Sequence, residues 1–301
     1  MRCTFFRLGC LFILSSLVIP ASYADEYRLA VRAHRGEDAA RLQWQATLDA
    51  LNKALPEHNF TLVPIVSLPE ITKAASRGEF EFLLTNPSSY VEVSKKYGAR
   101  AIATLNNRRA NTAQSRFGSV IFTHVQNTDI LDINDIEDKT LIAVSETAFG
   151  GWRVAWYEML SNGFDPYKQS KSVTYTKGGT QPEVVEAVLF KQAEVGVVRT
   201  DQLERMEQAG RLDMRYLRVL NNKDNKNFPF FLSTALYPEW PLASMDKVPA
   251  DVVTRLQQVL LKLGPASDAA EKGKYVGWVK PLDYKSVDDL MRKLGVGHYK
   301  K

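Results

Sequence analysis

The sequence has 301 residues, of which 45% are hydrophobic and 24% are charged, so the chain can bury a full core. This composition excludes a disordered or fibrous protein and fits either one large domain or two ordinary ones. The longest largely apolar run covers residues 8–19. Twelve residues are too few for a membrane-spanning helix, which needs about 20, so we expect no integral membrane protein.

The first 24 residues have the pattern of a secretory signal. Arg2 and Arg7 precede the apolar run, and the small residues Ser22 and Ala24 occupy the recognition positions of a signal peptidase. We therefore predict that residues 1–24 are a signal peptide, cleaved after Ala24, and that the mature protein is exported and soluble. A buried N-terminal helix is the alternative, but this segment has no acidic residue and no amphipathic period.

Both cysteines, Cys3 and Cys10, lie in this segment, so the predicted mature chain has no disulfide, cysteine nucleophile or cysteine metal site. Without Arg2 and Arg7, the 39 basic residues become 37 against 34 acidic ones, which gives a net charge of +3. No run of basic residues is longer than two. We therefore expect no nucleic-acid binding.

Strand-like runs alternate with helix-like segments along the mature chain, which is typical of an α/β protein. The first series of runs comprises residues 27–33, 60–66, 80–85, 99–105 and 119–124. The second series comprises residues 141–145, 173–177, 195–199 and 214–220. Another strand is predicted over residues 228–237, and only helix-like segments follow it, which suggests that the chain returns to the first series.

These series predict two α/β lobes joined by two crossings, as in a hinged clamshell. The expected first lobe consists of residues 25–121 and 228–301, and the expected second lobe consists of residues 122–227. The two hinge segments are expected near residues 119–124 and 227–234. A ligand held between the lobes would then draw them together.

In open α/β sheets, ligands bind beyond the carboxyl ends of strands, where helix N-termini present free N–H groups. Five junctions of this kind can be recognised: residues 34–36, 86–90, 145–152, 178–182 and 199–201. Each also has a purely structural interpretation. Asn86 or Ser88 can simply cap a helix, the pair Gly150 and Gly151 can form a turn, and Thr180 with Glu183 has the spacing of a capping box.

The arginines Arg35 and Arg199 are the charged candidates at these junctions. Arg199 ends a buried strand-like run, where its planar guanidinium could hold an oxyanion. The alternative is a structural ion pair with Asp201 or Glu204. Arg35 is the corresponding residue of the first lobe, and it could equally be solvated.

Seven motifs occur in an order that resembles the phosphonate-binding-like family of periplasmic solute-binding proteins, and in particular the sensor domains of tetrathionate-responsive histidine kinases. The motifs are RGEDAARLQW, LLTNPSSYV, RFGSVIF, FGGWRVAWYEML, VGVVRTDQLERM, FPFFLSTALYPEWP and GWVKPLDYKSVDDLM. The resemblance implies a type II periplasmic-binding-protein fold that closes on a small oxyanion. It also implies ligand-binding roles for Arg35, Asn86, Tyr90, Ser119, Gly150, Gly151, Trp152, Thr180 and Arg199.

We therefore expect a monomeric binding protein for a sulfur or phosphorus oxyanion, which presents its ligand to a membrane sensor kinase or an ABC permease. The alternative is a hydrolase or transferase on the same fold. Against an enzyme, the four histidines have no metal-ligand spacing, and the sequence has neither a nucleophile elbow nor a phosphate-binding loop. Glu146 is the candidate general base, and it is explained more simply as a residue at a helix start. We expect no cofactor and no metal.

Overall fold

The computed structural model describes residues 25–110 and 112–300, so the predicted signal peptide lies outside the described residues. These residues form two α/β lobes, each built around its own sheet. Within the same residues, no helix is both long enough and apolar enough to cross a membrane.

The first lobe has a seven-stranded sheet in the order β14-β4-β13-β3-β1-β2, with β5 paired to β4. Its strands are β1 (Asp25–Arg32), β2 (His58–Ile65), β3 (Phe82–Leu84), β4 (Arg100–Arg109), β5 (Thr112–Gln114), β13 (Pro241–Ser244) and β14 (Tyr275–Val279). Its helices are α1 (Glu37–Ala54), α2 (Leu68–Ser76), α3 (Pro87–Tyr97), α8 (Ala250–Lys262), α9 (Asp268–Gly273) and α10 (Lys285–Leu294). Strands β1, β2 and β3 are parallel, and β4 runs in the same direction because β13 is antiparallel to both β3 and β4.

The second lobe has a five-stranded sheet in the order β11-β7-β10-β8-β9. Its strands are β7 (Ser119–His124), β8 (Thr140–Ala143), β9 (Ser172–Tyr175), β10 (Val195–Arg199) and β11 (Leu217–Leu220). Its helices are α4 (Val154–Ser161), α5 (Pro166–Gln169), α6 (Gln181–Leu189) and α7 (Gln202–Gln208), and a π-helical turn, Phe149–Arg153, precedes α4. Here β8, β9 and β10 are parallel and β7 is antiparallel to β10.

Both sheets are covered on both faces, which explains why their strands are continuous apolar runs rather than alternating ones. In β1, Leu29 and Val31 pack into one cluster of the first lobe while Ala30 between them packs into the other. In β7, Ile121 packs on one face of the second sheet and Phe122 on the other. The prediction of an α/β fold is confirmed.

The chain crosses between the lobes twice, and the two crossings pair as short antiparallel strands, β6 (Arg116–Phe117) and β12 (Tyr237–Pro238). These crossings lie a few residues outside the segments expected for the hinge. Residues 119–124 are all in β7, an internal strand of the second sheet. The segment 227–234 also runs along the second lobe, where Ser233 N donates to Ser119 O at 2.9 Å.

Two details of the predicted strands were wrong. Residues 228–236 form no strand, because side chains replace much of the backbone ladder: Ser233 Oγ accepts from Ile121 N, and Thr234 Oγ1 accepts from Ser119 N. Conversely, the part of the chain after residue 237 is not only helical. It contributes β13 and β14, which are four and five residues long, to the sheet of the first lobe.

Candidate functional site

The carboxyl edges of both sheets face the crossings. In the first lobe, β4 ends at Arg109, a few residues before the first crossing begins. In the second lobe, Arg199 at the end of β10 is paired with Ser119 at the start of β7, directly after that crossing. The loops that follow the parallel strands of both lobes therefore surround one cleft, as ligand sites in open α/β sheets require.

One cavity in this cleft, of about 290 Å³, is lined by residues of both lobes. This volume is close to the lower limit of typical ligand sites, roughly 300–1,000 Å³. From the first lobe, α2 contributes Lys73 and the start of α3 contributes Ser88 and Ser89; the second lobe contributes Thr147 and Arg153. The cavity is therefore shaped for a small molecule that contacts both lobes at once.

The N-terminus of α3 lies at this cavity because of its local sequence. Asn86 caps the helix by accepting a hydrogen bond from Ser89 N at 2.8 Å, and Pro87 occupies the first helical position. Of the two expected candidates for this cap, Asn86 and Ser88, the structure shows Asn86. Ser89 is 5% exposed, and its Oγ has no hydrogen-bond partner in the described part of the chain. The helix thus offers a hydroxyl and the positive end of its dipole to an anion.

Arg153 supplies the positive charge from the second lobe. It ends the π-helical turn, and its Nε donates to the carbonyl oxygen of Glu146 at 3.2 Å. Burial lowers the pKa of Arg153, because a cation is poorly solvated there, although the nearby Glu146 and Glu92 carboxylates oppose this effect. Glu92, which also lines the cavity, accepts a hydrogen bond from Lys96 at 2.9 Å. An anion next to Arg153 would stabilise its charged form.

The glycines of the turn allow it to pack against the first crossing. A Cβ atom on Gly150 would lie 2.6 Å from the ring of Phe117, and one on Gly151 would lie 2.7 Å from Val144 Cγ2. Side chains at these positions would push the turn outward. The glycines thus have a packing role, beside the binding role predicted for them.

A second group of charged residues, which we call the hinge cluster, consists of Arg109, Arg199, Asp201 and Glu239. Arg199 Nη2 lies 2.5 Å from Glu239 Oε1, and Arg109 lies 3.7 Å from both Glu239 and Asp201. Glu239 is fully buried. Burial raises the pKa of Glu239, but the charges of Arg199 and Arg109 outweigh it and hold the pKa below its usual value. Burial and the charge of Arg199 together lower the pKa of Arg109 to about 10.

The structure brings three of the predicted ligand-binding residues together at this cluster: Arg199, which belongs to it, and Ser119 and Gly150, which lie beside it. Ser119 Oγ donates to Gly150 O at 2.7 Å, and the Arg199 guanidinium lies 4.0 Å from the centre of the Phe117 ring. The partner of Arg199 is Glu239 from the second crossing, with Asp201 farther away at 3.8 Å. The role of Arg199 in ligand binding stays a prediction.

Other predicted residues lie apart from the cavity. Trp152 is fully buried in the second lobe and donates to Tyr167 Oη at 2.9 Å. Tyr90 is 8% exposed, and its Oη accepts from Ala101 N within the first lobe. Arg35 is exposed and donates to Gln43. Their roles in ligand binding also stay predictions.

The predicted capping box at Thr180 is wrong. Thr180 Oγ1 donates to Glu183 Oε1 at 2.7 Å rather than accepting from the backbone, and Glu183 Oε2 accepts from Gly178 N. The two side chains therefore bond to each other and to the preceding loop. Thr180 is exposed there, and its binding role is likewise untested.

Several residues of the cleft were missed by the sequence analysis. Ser89 and Thr147 lie inside two of the recognised junctions, and Arg153 directly follows one of them, so attention to hydroxyl and guanidinium donors there would have found them. Arg109 ends a strand at the carboxyl edge. Glu239 gives no such signal, because its burial depends on contacts between distant segments. Across residues 25–110 and 112–300, no group of three or more potential ligands could hold a metal ion.

Comparisons with known proteins agree with this geometry. Residues 29–285 match the family model described as "ABC transporter, phosphonate, periplasmic substrate-binding protein". The chain is 26% identical over 277 residues to the tetrathionate sensor histidine kinase TtrS of Salmonella typhimurium. The aligned region covers 92% of this chain and 45% of that protein. The chain thus spans less than half the length of this curated relative.

Two solved structures are similar in fold. XAC2383 from Xanthomonas citri, bound to ATP, has a TM-score of 0.69 at 16% identity and covers 92% of this chain and 98% of its own. PhnD1 from Prochlorococcus marinus, in complex with methylphosphonate, has a TM-score of 0.66 at 12% identity, and the match covers 91% of this chain and 99% of PhnD1. At these identities the likeness shows the fold alone. The family match covers most of the chain, and the resemblance inferred from the sequence motifs is confirmed: the chain belongs to the family of periplasmic substrate-binding proteins of phosphonate ABC transporters.

Proposed function

We propose that this protein binds a small sulfur or phosphorus oxyanion in the cavity between its lobes and presents it to a membrane partner, either a sensor kinase or an ABC permease. The observation that carries the proposal is that both lobes supply donors to one cavity. The first lobe supplies the α3 N-terminus with Ser89, and the second supplies Thr147 and Arg153. A bound anion would bridge the lobes and favour their closed arrangement.

The charges at the cavity favour an anion over a cation. Lys73 and Arg153 are both cationic, while the carboxylate of Glu92 is already paired with Lys96. The sensor kinase is named for tetrathionate, the family is named for phosphonate, and PhnD1 is in complex with methylphosphonate. These compounds share anionic oxygens bound to sulfur or phosphorus. Helix N-termini and arginine side chains are the usual protein donors to such groups.

An anion screen tests this proposal directly. Tetrathionate, thiosulfate, phosphite, phosphate and methylphosphonate would be compared by thermal unfolding and then by calorimetry. A ligand at 100 times its Kd stabilises the folded state by about 2.7 kcal/mol, which is a resolvable shift in Tm. If none of these anions stabilises the protein, the proposed ligand class is wrong.

Arg153→Gln tests the location of the site. A hydrogen bond to a charged group contributes about 1.5–3 kcal/mol, so the variant should bind the selected anion about 10- to 150-fold more weakly. Arg215→Gln is the matched control, because Arg215 is in the same lobe but 88% exposed and pairs only with its neighbour Asp213 in the described structure. Equal affinity of Arg153→Gln and the parent would place the ligand elsewhere.

We further propose that ligand binding closes the lobes about β6 and β12. Solution scattering should give a smaller radius of gyration when ligand is added, and an unchanged radius would mean a rigid cleft.

We also propose that export removes residues 1–24. The intact mass of periplasmic protein should then correspond to a chain beginning at Asp25. Ligand recovered unchanged after long incubation would distinguish this binding protein from the alternative hydrolase or transferase.

A further inference from the structure

Glu239 is bound from several sides in the hinge cluster. Its carboxylate receives Arg199 Nη2 at 2.5 Å, Asn107 Nδ2 at 2.9 Å and its neighbour Trp240 N at 3.1 Å. Its backbone carbonyl accepts from Tyr284 Oη at 2.6 Å. The carboxylate is therefore held at a fixed place on the second crossing, between an arginine of each lobe.

The arginines around Glu239 retain unused donors. The Nε atoms of Arg109 and Arg199 are buried and have no hydrogen-bond partner within residues 25–110 and 112–300. The two side chains are 20% and 13% exposed, so they are not sealed from the cleft. With Arg205, which lies 2.7 Å from Asp201, three arginines face the two carboxylates of Asp201 and Glu239. The three arginines exceed these two carboxylates by one charge, and Glu204, whose carboxyl group lies near Asp201, partly offsets this excess.

We propose that Glu239 is a resident counter-anion that limits the affinity of the cleft for its ligand. This inference rests on the proposed function, because it assumes that anions enter the cleft. Glu239 accepts the hydrogen bond from Arg199 Nη2, so this donor is not available to a ligand. Its negative charge also lowers the positive potential that an incoming anion meets. Removing this charge without changing the shape of the side chain raises anion affinity, and it does so more for a dianion than for a monoanion.

The test is Glu239→Gln, measured by calorimetry and thermal unfolding with sulfate and chloride as probes, together with the anion selected by the screen. One unit charge within about 12 Å of a dianion, at an effective dielectric constant near 20, corresponds to a gain of at least about 100-fold in sulfate affinity. The gain for chloride should be smaller, because its charge is half as large. Glu239→Asp keeps the charge and should bind sulfate within a few fold of the parent.

Glu81→Gln is the matched control for loss of a partly buried, ion-paired glutamate. Glu81 pairs with Arg28 at 2.8 Å and Lys247 at 2.9 Å, and its side chain is 12% exposed. This variant should leave sulfate affinity unchanged. The double variant Glu239→Gln with Arg199→Gln should lose most of the gain, because the freed guanidinium is then absent.

Lower or equal sulfate affinity in Glu239→Gln would overturn the inference and make Glu239 a residue that positions Arg199. An equal gain for sulfate and chloride would also overturn it, because a general opening of the cleft has no dependence on ligand charge. These results leave the proposed function intact if the parent still binds an anion of the screen. The proposed function fails separately, when no anion of the screen stabilises the parent.

Discussion

Replacing Arg199 by glutamine tests whether its pair with Glu239 stabilises the fold. In the variant, Glu239 keeps its hydrogen bonds from Asn107 and Trp240, but the nearest remaining counter-charge is Arg109 at 3.7 Å. Removing one partner of a buried ion pair costs about 3–5 kcal/mol, and these remaining contacts place the cost at about 3 kcal/mol. An exposed pair would cost less than about 1 kcal/mol.

The pH dependence of this cost distinguishes a buried carboxylate from a general packing defect. In the parent, burial raises the pKa of Glu239 but the arginines lower it below its usual 4.5, so the pair stabilises the fold above about pH 4.5 and loses this effect as the pH falls further. In the variant, burial dominates and raises the pKa of Glu239. The penalty is then largest at neutral pH and shrinks as the carboxyl group becomes protonated.

The assay is urea unfolding of the parent, Arg199→Gln and the exposed control Arg215→Gln at several pH values between about 7.5 and 5. The difference in unfolding free energy between the parent and Arg199→Gln should narrow as the pH falls, while the control stays close to the parent. A difference below about 1 kcal/mol at neutral pH, or one that is constant with pH, would refute the reasoning.

Two further predictions concern local packing and acid stability. Gly150→Ala should destabilise the fold by about 1–3 kcal/mol in urea unfolding, because its Cβ would lie 2.6 Å from Phe117. Gly264→Ala, which meets no atom within 4 Å, should change stability little. Burial raises the pKa of Glu81, but hydrogen bonds from Arg28 and other donors lower it to about 2. Glu81 therefore stabilises the parent above about pH 4.5, and the deficit of Glu81→Gln should disappear as the pH approaches 2. A deficit unchanged with pH in acid titrations followed by circular dichroism would contradict this.

The strands could be predicted from the sequence where burial on both faces makes them continuous apolar runs. Residues 119–124 and 195–199 have the bounds of β7 and β10, and the other predicted runs differ from their strands by a few residues. The strand β13 was missed because it is only four residues long and begins with Pro241. Conversely, residues 228–236 are apolar enough for a strand, but hydroxyl side chains make much of their contact with β7.

The site could be predicted only where it depends on local sequence. The cap formed by Asn86 involves residues three apart, so its pattern is visible along the chain. The partner of Arg199 could not be predicted in this way. Asp201 and Glu204 are near in sequence, whereas the actual partner, Glu239, is 40 residues away and reaches Arg199 only through the second crossing. Likewise, Ser89 and Arg153 meet at one cavity only because the two lobes face each other across the cleft.

The cavity and the hinge cluster differ in how their charges are balanced. Because of this difference, substitutions at the cavity and in the hinge cluster should affect different properties, ligand affinity and the stability of the fold. At the cavity, a helix N-terminus, Lys73 and Arg153 lie near three carboxylates: Glu92 is bound by Lys96, Glu70 lies 3.9 Å from Lys73, and Glu146 lies near Arg153. In the hinge cluster, the arginines are largely neutralised by Asp201 and Glu239. An anion therefore gains most at the cavity, where Arg153 makes no ion pair or hydrogen bond with a carboxylate within the described residues. On this basis, substitution of Arg153 should act mainly on ligand affinity, whereas substitution of Arg199 should act mainly on the stability of the fold.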